Sequence, residues 1–289
     1  MLQIIANKTA GNGRGTKIIK EVKTLLKKKG IPHQLHITTR PGHARILADE
    51  VIKNRDREII CIGGDGTISE IVDGLAGRYA TIYFVPCGTG NDFIRNLNLP
   101  KDPIEALEAQ LTGIPRPVDV GRVNDWYFLN ISGMGFDVEV LRQAERFKKL
   151  GKGLVPYLLG IFAALYRFKA WPMEIAINNR VLKKELSLIS VGNGRYYGGG
   201  MKVLPHASID DGLFDVIIAE KVNRLTVIRL LSTFISGKHT DLPIVHEFRC
   251  RELTIRCPGM TVNIDGELHE MDEARYQLLP AALEIKMPR

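Results

Sequence analysis

The sequence predicts an α/β plus β fold, with an N-terminal doubly wound α/β domain and a C-terminal β-sandwich domain that carries helical insertions. Strand-like and helix-like segments alternate over residues 1–115, and glycine-rich turns follow several of the strands. After Pro115-Arg116-Pro117 the pattern changes to the alternating apolar runs typical of antiparallel strands. We therefore expect domains at residues 1–118 and 119–289, and we leave open a return of the last few residues to the first domain.

The elements of the first domain follow from their apolar patterns. Short β-branched runs indicate strands, and apolar residues three or four positions apart indicate helices. Ligands of a mainly parallel sheet gather at the carboxyl ends of its strands, which is where the glycine turns lie. The predicted strands cover residues 2–6, 33–38, 59–62 and 81–86, and the predicted helices include residues 18–26, 44–51 and 68–75.

The second domain is predicted from alternation between apolar and polar residues. Such runs occur at residues 181–191, 213–220, 253–264 and 283–287, and we expect helices near residues 138–168 and 222–237.

Composition and charge favour a soluble protein with anionic partners. Forty basic and thirty-two acidic residues give the 289-residue chain a net charge of +8, and its pI is near 9.3. This balance suits nucleotides, nucleic acid or acidic membranes without choosing among them. The four cysteines form no CxxC pair, so we expect neither a zinc site nor a disulfide framework. The first residues do not resemble a secretory signal, and we expect a reducing cytosol.

The turn Gly63-Gly64-Asp65-Gly66-Thr67 lies between an apolar strand and a helical pattern. Glycines allow the backbone to approach a ligand closely, and a helix N-terminus attracts phosphate. Thr67 and Glu70 have the spacing of a capping box, so we expect the helix to begin at Thr67. Asp65 adds a carboxylate that can hold a metal ion or orient a hydroxyl. An ordinary tight turn remains the alternative.

A second glycine turn, residues 86–93, is expected beside the first one if their two strands are neighbours. Hydroxyls and carboxylates on the two turns suit a triphosphate with Mg²⁺. The segment Asn7–Thr16 matches neither G-x-x-x-x-G-K-[ST] nor G-x-G-x-x-G. It remains a candidate phosphate loop, with a surface turn as the alternative.

The most apolar stretch is residues 154–166, which is shorter than the roughly 20 residues needed to cross a bilayer. We expect it to be buried in the core, and we keep contact with an anionic membrane surface as the alternative. Basic residues flank this stretch: Arg146, Lys148, Lys149 and Lys152 before it, and Arg167 and Lys169 after it.

Taken together, these motifs resemble the diacylglycerol kinase catalytic family, in particular its bacterial lipid kinase branch, which is related to the sphingosine kinases. Gly63–Thr67 is similar to the nucleotide loop of that family, and Gly88–Phe93 is similar to its GTxNDF element. The resemblance continues in the same order over nearly the whole chain, through residues 118–121, 130–136, 198–200 with Pro205, 210–213 and 264–267.

The resemblance implies an ATP site in the cleft between the two domains. Lys8 and Ala10 stand where the family typically has proline and serine, so the first loop loses stiffness and a hydroxyl. The matching positions are Asn7, Lys8, Thr9, Ala10, Gly11, Thr38, Gly63, Gly64, Asp65, Gly66, Thr67, Ile68, Ser69 and Thr89.

The resemblance also implies catalytic and metal-binding residues. Asp265-Gly266 by itself predicts a hairpin turn, and Glu267 after it matches the general base of the family. Asp65 would act electrostatically through Mg²⁺ and water. A separate structural or regulatory Mg²⁺ site would use the Asp211 carboxylate and the backbone oxygens of Ser208 and Leu213.

The expected function is therefore ATP- and Mg²⁺-dependent phosphorylation of a membrane lipid hydroxyl, with diacylglycerol as the first candidate and a role in phospholipid biosynthesis. Undecaprenol, a sphingoid base and phosphatidylglycerol remain open as acceptors. An NAD kinase and a lipid-binding regulator without turnover are the competing hypotheses. We expect a cytoplasmic protein with peripheral membrane contact and no nucleic acid partner, and we leave a homodimer open.

Overall fold

The computed structural model describes residues 1–147, 154–167 and 169–289. These residues form two compact units. Unit 1 contains Met1–Val120 and Leu279–Arg289, and unit 2 contains Gly121–Leu278. The predicted basic flank at Lys148, Lys149 and Lys152 lies outside the described residues.

The secondary structure elements follow the predicted order. The helices are α1 Gly15–Lys28, α2 His43–Lys53, α3 Asp65–Leu75, α4 Pro103–Leu111, α5 Phe136–Phe147, α6 Leu154–Ala164 and α7 Arg224–Ser236. The strands are β1 Leu2–Ala6, β2 His33–Ile37, β3 Glu58–Gly63, β4 Thr81–Pro86, β5 Ile114–Val123, β6 Trp126–Phe128, β7 Ile131–Gly135, β8 Trp171–Ile177, β9 Arg180–Gly192, β10 Tyr196–Tyr197, β11 Met201–Lys202, β12 Phe214–Glu220, β13 Val245–Cys250, β14 Glu252–Ile264 and β15 Glu267–Met287.

Unit 1 is built on a parallel sheet with the strand order β2-β1-β3-β4. The end of β15 joins it in parallel to β4, where Glu284 pairs with Thr81. Side chains alternate between the two faces, so Ile4 and Ile60 pack under α1. α1 contacts α4, whereas α2 contacts α3. The predicted doubly wound α/β arrangement is confirmed.

A buried glutamine completes the hydrogen bonding of β4. Gln110 on α4 accepts from the Phe84 N–H at 2.8 Å and donates to the Phe84 carbonyl at 2.7 Å. Its amide thus replaces a neighbouring strand beyond Ile82, where the pairing with β15 ends. Because buried main-chain groups are costly to leave unpaired, this side chain fixes α4 to the sheet.

Unit 2 is built from antiparallel strands. β9 pairs with β7, β8 and β12, while β14 pairs with β7, β8 and β15. Their inner faces enclose an apolar core that includes Phe128, Phe214 and Tyr276. The Phe128 and Phe214 rings stack with their centroids 5.7 Å apart. The predicted β-sandwich with helical insertions is confirmed.

The helices α6 and α7 of unit 2 are only partly buried against the rest of the unit. Gly160 lets α6 approach α5 closely, because a Cβ at this position would lie 2.8 Å from the Val140 carbonyl oxygen. The prediction that residues 154–166 are buried holds for one face of α6, which includes Ile161 and Ala164, and is wrong for the face that includes Phe162. α7 contains no buried residue. Among the described residues, no helix is both long and apolar enough to cross a bilayer.

Candidate active site

Three glycine-containing loops meet at the carboxyl end of the unit 1 sheet. The loops follow β1, β3 and β4, and main-chain hydrogen bonds join them. The Asn7 N–H donates to the Ile62 carbonyl and the Cys87 N–H donates to the Gly63 carbonyl, both at 2.9 Å. The two glycine turns therefore lie side by side, as the sequence predicts.

The close packing of these loops requires glycine at particular positions. A Cβ at Gly64 would lie 2.8 Å from the Gly88 Cα, and a Cβ at Gly11 would lie 2.2 Å from the Cys87 carbonyl oxygen. Gly66 differs, because a Cβ there would meet no atom within 4 Å. Open space therefore lies in front of the first turn of α3, which is the end of a helix that attracts phosphate.

The predicted capping box is wrong. α3 begins at Asp65, two residues earlier than expected, and its N-cap residue Gly64 provides no side-chain cap. The Glu70 carboxylate instead accepts from the Gly42 and Ala44 N–H groups, both at 2.9 Å, and so caps α2. The N-terminus of α3 is therefore left without a side-chain cap.

The loop after β4 holds the Asp65 carboxylate. The Phe93 N–H donates to Asp65 Oδ1 at 3.3 Å, and a Cβ at Gly90 would lie 3.0 Å from Asp65 Oδ2. Burial raises the pKa of Asp65, and hydrogen bonds from the N–H groups of Phe93, Asp92 and Asn91 oppose the rise. A cation beside this carboxylate would favour its ionised form.

Side-chain hydrogen bonds stabilise the first loop, which lacks the proline typical of the family. Asn7 Oδ1 accepts from the Thr9 N–H at 3.0 Å and from the Thr9 hydroxyl at 2.8 Å. Such a side-chain turn fixes the backbone locally. Lys8 is exposed, and the Thr38 N–H donates to the Ala6 carbonyl at 2.9 Å, which places Thr38 next to the start of this loop.

The other predicted ATP-binding positions differ in exposure. Thr89 is exposed on the loop after β4, and Ala10 and Gly11 are half-buried. The side chains of Thr67, Ile68 and Ser69 are buried, so these residues can meet a ligand only through their main-chain groups.

Unit 2 contains the predicted hairpin. Ile264 pairs with Glu267, and both intervening residues, Asp265 and Gly266, have positive φ, as a type I′ turn requires. The Asp265 carboxylate accepts from the N–H groups of Leu129, Asn130 and Ile131 at 2.8–3.2 Å, which anchors the turn.

Glu267 is the first residue of β15 and is partly exposed. Its Oε2 lies 3.8 Å from His269 Nε2, and the His269 ring packs against Trp126 with the ring centroids 4.1 Å apart. Glu267 belongs to unit 2 and Asp65 to unit 1. A carboxylate that is partly exposed on a fixed hairpin can accept a proton from a bound hydroxyl.

Asn263 connects this hairpin to a buried carboxyl group. Its Oδ1 accepts from the Gly266 N–H at 2.8 Å, and its Nδ2 donates to Asp137 Oδ2 at 3.3 Å. Asp137 lies in the first turn of α5 and is 3% exposed. Its Oδ1 has no hydrogen-bond partner among the described residues.

Asp137 lines an apolar cavity of about 90 Å³ in unit 2. Burial raises the pKa of Asp137 to about 7, and a hydrogen bond from Asn263, together with interactions of the Val138 and Asp137 N–H groups, opposes the rise. Sequence reasoning missed this residue, although it directly follows the 130–136 motif. The other lining side chains are mostly apolar and include Phe136, Ile161, Leu188, Val227, Leu231 and Phe234.

At the acidic turn of residues 208–213, protein donors already occupy the Asp211 carboxylate that the predicted Mg²⁺ site would use. The Leu213 N–H donates to Asp211 Oδ1 at 3.1 Å, and the Arg249 guanidinium donates to Asp211 Oδ2. The Ser208 hydroxyl donates to Asp210 at 2.8 Å. A divalent ion would have to displace Arg249 from the one carboxylate of the predicted set. The described residues contain no group of three or more His, Cys, Asp or Glu side chains that could hold a metal ion.

Comparison with known sequences agrees with the two-unit architecture. Residues 1–123 match the diacylglycerol kinase catalytic domain, and residues 130–287 match the YegS C-terminal NAD kinase beta sandwich-like domain. A diacylglycerol kinase of Bacillus subtilis is 32% identical, over 99% of this chain and 96% of that protein. A diacylglycerol kinase of Mycobacterium tuberculosis is 31% identical, over 99% of this chain and 94% of that protein.

Solved structures share the fold. A Bacillus anthracis protein proposed to be a diacylglycerol kinase superposes with a TM-score of 0.80 at 27% identity, over 99% of this chain and 96% of that one. A crystal structure of a diacylglycerol kinase from the same organism gives a TM-score of 0.75 at 24% identity, again over 99% and 96% of the two chains.

Proposed function

Because this chain belongs to the diacylglycerol kinase family of lipid kinases, we propose that it transfers the γ-phosphate of ATP to the free hydroxyl of diacylglycerol. The products are phosphatidic acid and ADP. The observation that carries the acceptor side of this proposal is the link through Asn263 between the Glu267 hairpin and an apolar cavity. The two hydrogen bonds of Asn263 thus tie the turn before the proposed proton acceptor to a helix that lines an apolar cavity.

The three loops of unit 1 are the proposed ATP site. The phosphates lie in front of α3, where Gly66 leaves open space and the helix N-terminus has no side-chain cap. Mg²⁺ bound with ATP would neutralise charge on the phosphates, and Asp65 would hold that ion through water. Asn7 and Thr9 keep the first loop in the shape that contacts the nucleotide.

Glu267 is the proposed general base. Its carboxylate accepts the proton of the lipid hydroxyl while the hydroxyl oxygen forms a bond to the γ-phosphorus and the bond from that phosphorus to the bridging oxygen of ADP breaks. In phosphoryl transfer, most of the acceleration comes from positioning and charge neutralisation. Asp265 and Asn263 contribute by holding the hairpin, and thus Glu267, in one position.

The cavity favours an uncharged acyl lipid as the acceptor. Its walls are mostly apolar, and the unpartnered Asp137 oxygen can pair with a hydroxyl or accommodate an ester when the carboxyl is protonated. An anionic lipid such as phosphatidylglycerol would bring a second negative charge toward this carboxyl. This repulsion disfavours phosphatidylglycerol. The preference for diacylglycerol over undecaprenol and a sphingoid base rests on the relatives, which are named diacylglycerol kinases.

We further propose that the enzyme meets its acceptor at a cytoplasmic membrane surface, which the excess of basic residues supports. A homodimer stays a prediction, and NAD phosphorylation stays a control in the test below.

A lipid panel tests the proposal. The protein is incubated with [γ-³²P]ATP, Mg²⁺ and vesicles that contain diacylglycerol, undecaprenol, a sphingoid base or phosphatidylglycerol, with NAD in a separate reaction. We expect label in phosphatidic acid above every other product. If only a different lipid is labelled, that lipid replaces diacylglycerol as the acceptor. If only NAD is labelled, the proposal of a lipid kinase is contradicted.

A further inference from the structure

Two helices of unit 2 expose a concentration of large apolar side chains. Among the described residues twelve such side chains are exposed, and six of them lie within residues 154–167 and 224–236. Tyr166 is 82% exposed and Leu225 is 66% exposed, so most of the surface of each residue is in contact with solvent. The six residues, named the apolar stripe below, are Val155, Leu159, Phe162, Tyr166, Leu225 and Ile228.

The stripe is continuous because helical spacing and one hydrogen bond bring its members together. Its residues between 155 and 166 are separated by three or four positions and therefore share one side of α6 and of the turn that follows it. The Arg224 guanidinium donates to the Tyr166 carbonyl oxygen at 3.0 Å. The start of α7, with Leu225 and Ile228, therefore adjoins the end of α6.

The two segments that carry the apolar stripe contain basic residues and no acidic ones. Residues 154–167 and 221–238 contain no Asp or Glu, and their cations are Arg167, Lys221, Arg224, Arg229 and Lys238. Lys221 pairs with Glu185 at 2.7 Å, and Arg167 lies 3.9 Å from Glu139. The other cations of these segments are Arg224, Arg229 and Lys238. An apolar helical face with such cationic flanks fits the interface of an anionic bilayer.

The same helices also line the cavity of unit 2. Ile161 on α6 and Val227 and Leu231 on α7 face the cavity, whereas their neighbours Phe162 and Ile228 are exposed. Both sides of each helix are thus apolar, which is unusual for a helix at an aqueous surface. A bilayer in contact with the outer side would place lipid next to the walls of the cavity.

We propose that the apolar stripe inserts into the interface of an anionic phospholipid bilayer and positions unit 2 to take up its lipid. The uptake of substrate through this surface rests on the function proposed above, whereas the docking itself does not. Arg224 and Arg229 contact the anionic headgroups while Phe162, Tyr166 and Leu225 enter the acyl boundary.

Vesicle binding tests the surface directly. Wild type, the triple variant Phe162→Ser/Tyr166→Ser/Leu225→Ser and the control Ile46→Ser/Val181→Ser are sedimented with phosphatidylcholine vesicles that contain or lack phosphatidylglycerol. The control removes apolar side chains that are 41% and 60% exposed elsewhere on the chain. We expect the triple variant to bind about a hundredfold more weakly, since three large apolar side chains no longer leave water.

Two further readings complete the test. Wild-type binding should weaken when phosphatidylglycerol is omitted or salt is raised, whereas the control variant should bind like wild type. Equal binding of the triple variant and wild type would overturn the proposal. A wild-type dimer that becomes a monomer in the triple variant, with vesicle binding unchanged, would assign the stripe to a second copy of this chain.

Turnover separates this inference from the proposed function. With a short-chain diacylglycerol dissolved in water, the folded triple variant should keep the wild-type rate, and with vesicles it should lose most of its activity. If wild type binds vesicles but phosphorylates neither form of diacylglycerol, the proposed function fails and the docking surface stands. If the triple variant retains full activity on vesicles, the docking surface fails and the kinase stands.

Discussion

Asn263 Nδ2 donates to Asp137 Oδ2 across 3.3 Å, while the Oδ1 of the same asparagine accepts from the Gly266 N–H at 2.8 Å. One buried side chain therefore joins the turn before Glu267 to a carboxyl group in the wall of an apolar cavity. Two consecutive hydrogen bonds, Asp137–Asn263 and Asn263–Gly266, thus connect the cavity wall to the turn that sets the position of the proposed base.

Replacement of Asn263 tests this connection. Asn263→Ala removes both hydrogen bonds, so the hairpin loses a constraint and we expect kcat to fall by about tenfold to a hundredfold, with a smaller change in the KM for ATP. Steady-state kinetics with diacylglycerol vesicles measures both values. Asn263→Asp restores the acceptor for Gly266 but repels Asp137, so it should recover part of kcat below about pH 6, where Asp137 is protonated. An Asn263→Ala enzyme with normal kcat would remove Asn263 from the positioning of Glu267.

The raised pKa of Asp137 predicts a pH-dependent stability. Burial raises this pKa from 3.8 to about 7, so the folded protein holds a proton that the unfolded chain releases. The resulting stabilisation is complete below about pH 4 and is lost as the pH rises to about 7, and it amounts to about 4 kcal/mol at most. Asp137→Asn removes the titrating group and keeps the shape of the side chain.

Urea unfolding of both proteins across this range checks the sign. The free energy of unfolding of wild type, relative to Asp137→Asn, should fall between about pH 4 and pH 7 and stay level above that range. A difference that rises with pH would mean that Asp137 is stabilised as a carboxylate, in conflict with its apolar surroundings.

Two glycines of unit 1 form a matched pair. Gly64→Ala would place a Cβ 2.8 Å from the Gly88 Cα, so the two loops must separate and we expect a loss of about 1–3 kcal/mol in the free energy of unfolding. Gly66→Ala meets no atom within 4 Å and improves helix propensity, so stability should stay the same or rise by up to about 1 kcal/mol.

The Gly66→Ala variant should be stable but should bind ATP more weakly than wild type. The new methyl group of Gly66→Ala occupies the space in front of α3, so we expect weaker binding of ATP by a stable protein. Isothermal titration with a non-hydrolysable ATP analogue measures this affinity. Undiminished affinity in Gly66→Ala would move the phosphates away from the α3 N-terminus.

Metal removal tests the turn at residues 208–213. Since Arg249 already neutralises Asp211, we expect neither EDTA nor added Mg²⁺ to change the melting temperature of wild type without ATP. In Arg249→Met, the Asp211 carboxylate loses this partner, and Mg²⁺ should raise the melting temperature by about 2–4 °C, equivalent to about 1 kcal/mol. Stabilisation of wild type by Mg²⁺ alone would support the metal site implied by the family resemblance.

The glycine turns could be predicted from sequence because their role depends on the backbone itself. Gly64 and Gly88 touch each other, and the strands before them pair in register, as short β-branched runs suggest. The cap of α3 could not be predicted in this way. Glu70 has its partners 26 and 28 residues away, so local spacing suggested a capping box that the tertiary structure does not form.

The acceptor side was less accessible to sequence reasoning. Asp265-Gly266 predicted the hairpin, but the role of Glu267 came only from the family resemblance. Asp137 gave no signal, because the side chains that line its cavity come from several elements, among them α5, β9, α6 and α7, and no sequence pattern brings them together. The apolar run at 154–166 has little polar contrast, so the sequence could not show which of its faces is exposed.

Replacement of Glu267 tests the central claim most directly. Wild type and Glu267→Gln are compared for ATP affinity and for the rate at which [γ-³²P]ATP labels phosphatidic acid in diacylglycerol vesicles. We predict that the glutamine variant binds ATP normally, because Glu267 is outside unit 1, and that its rate falls by about 10²–10⁴-fold because the hydroxyl proton has no acceptor. A Glu267→Gln enzyme that labels phosphatidic acid at the wild-type rate would contradict the mechanism.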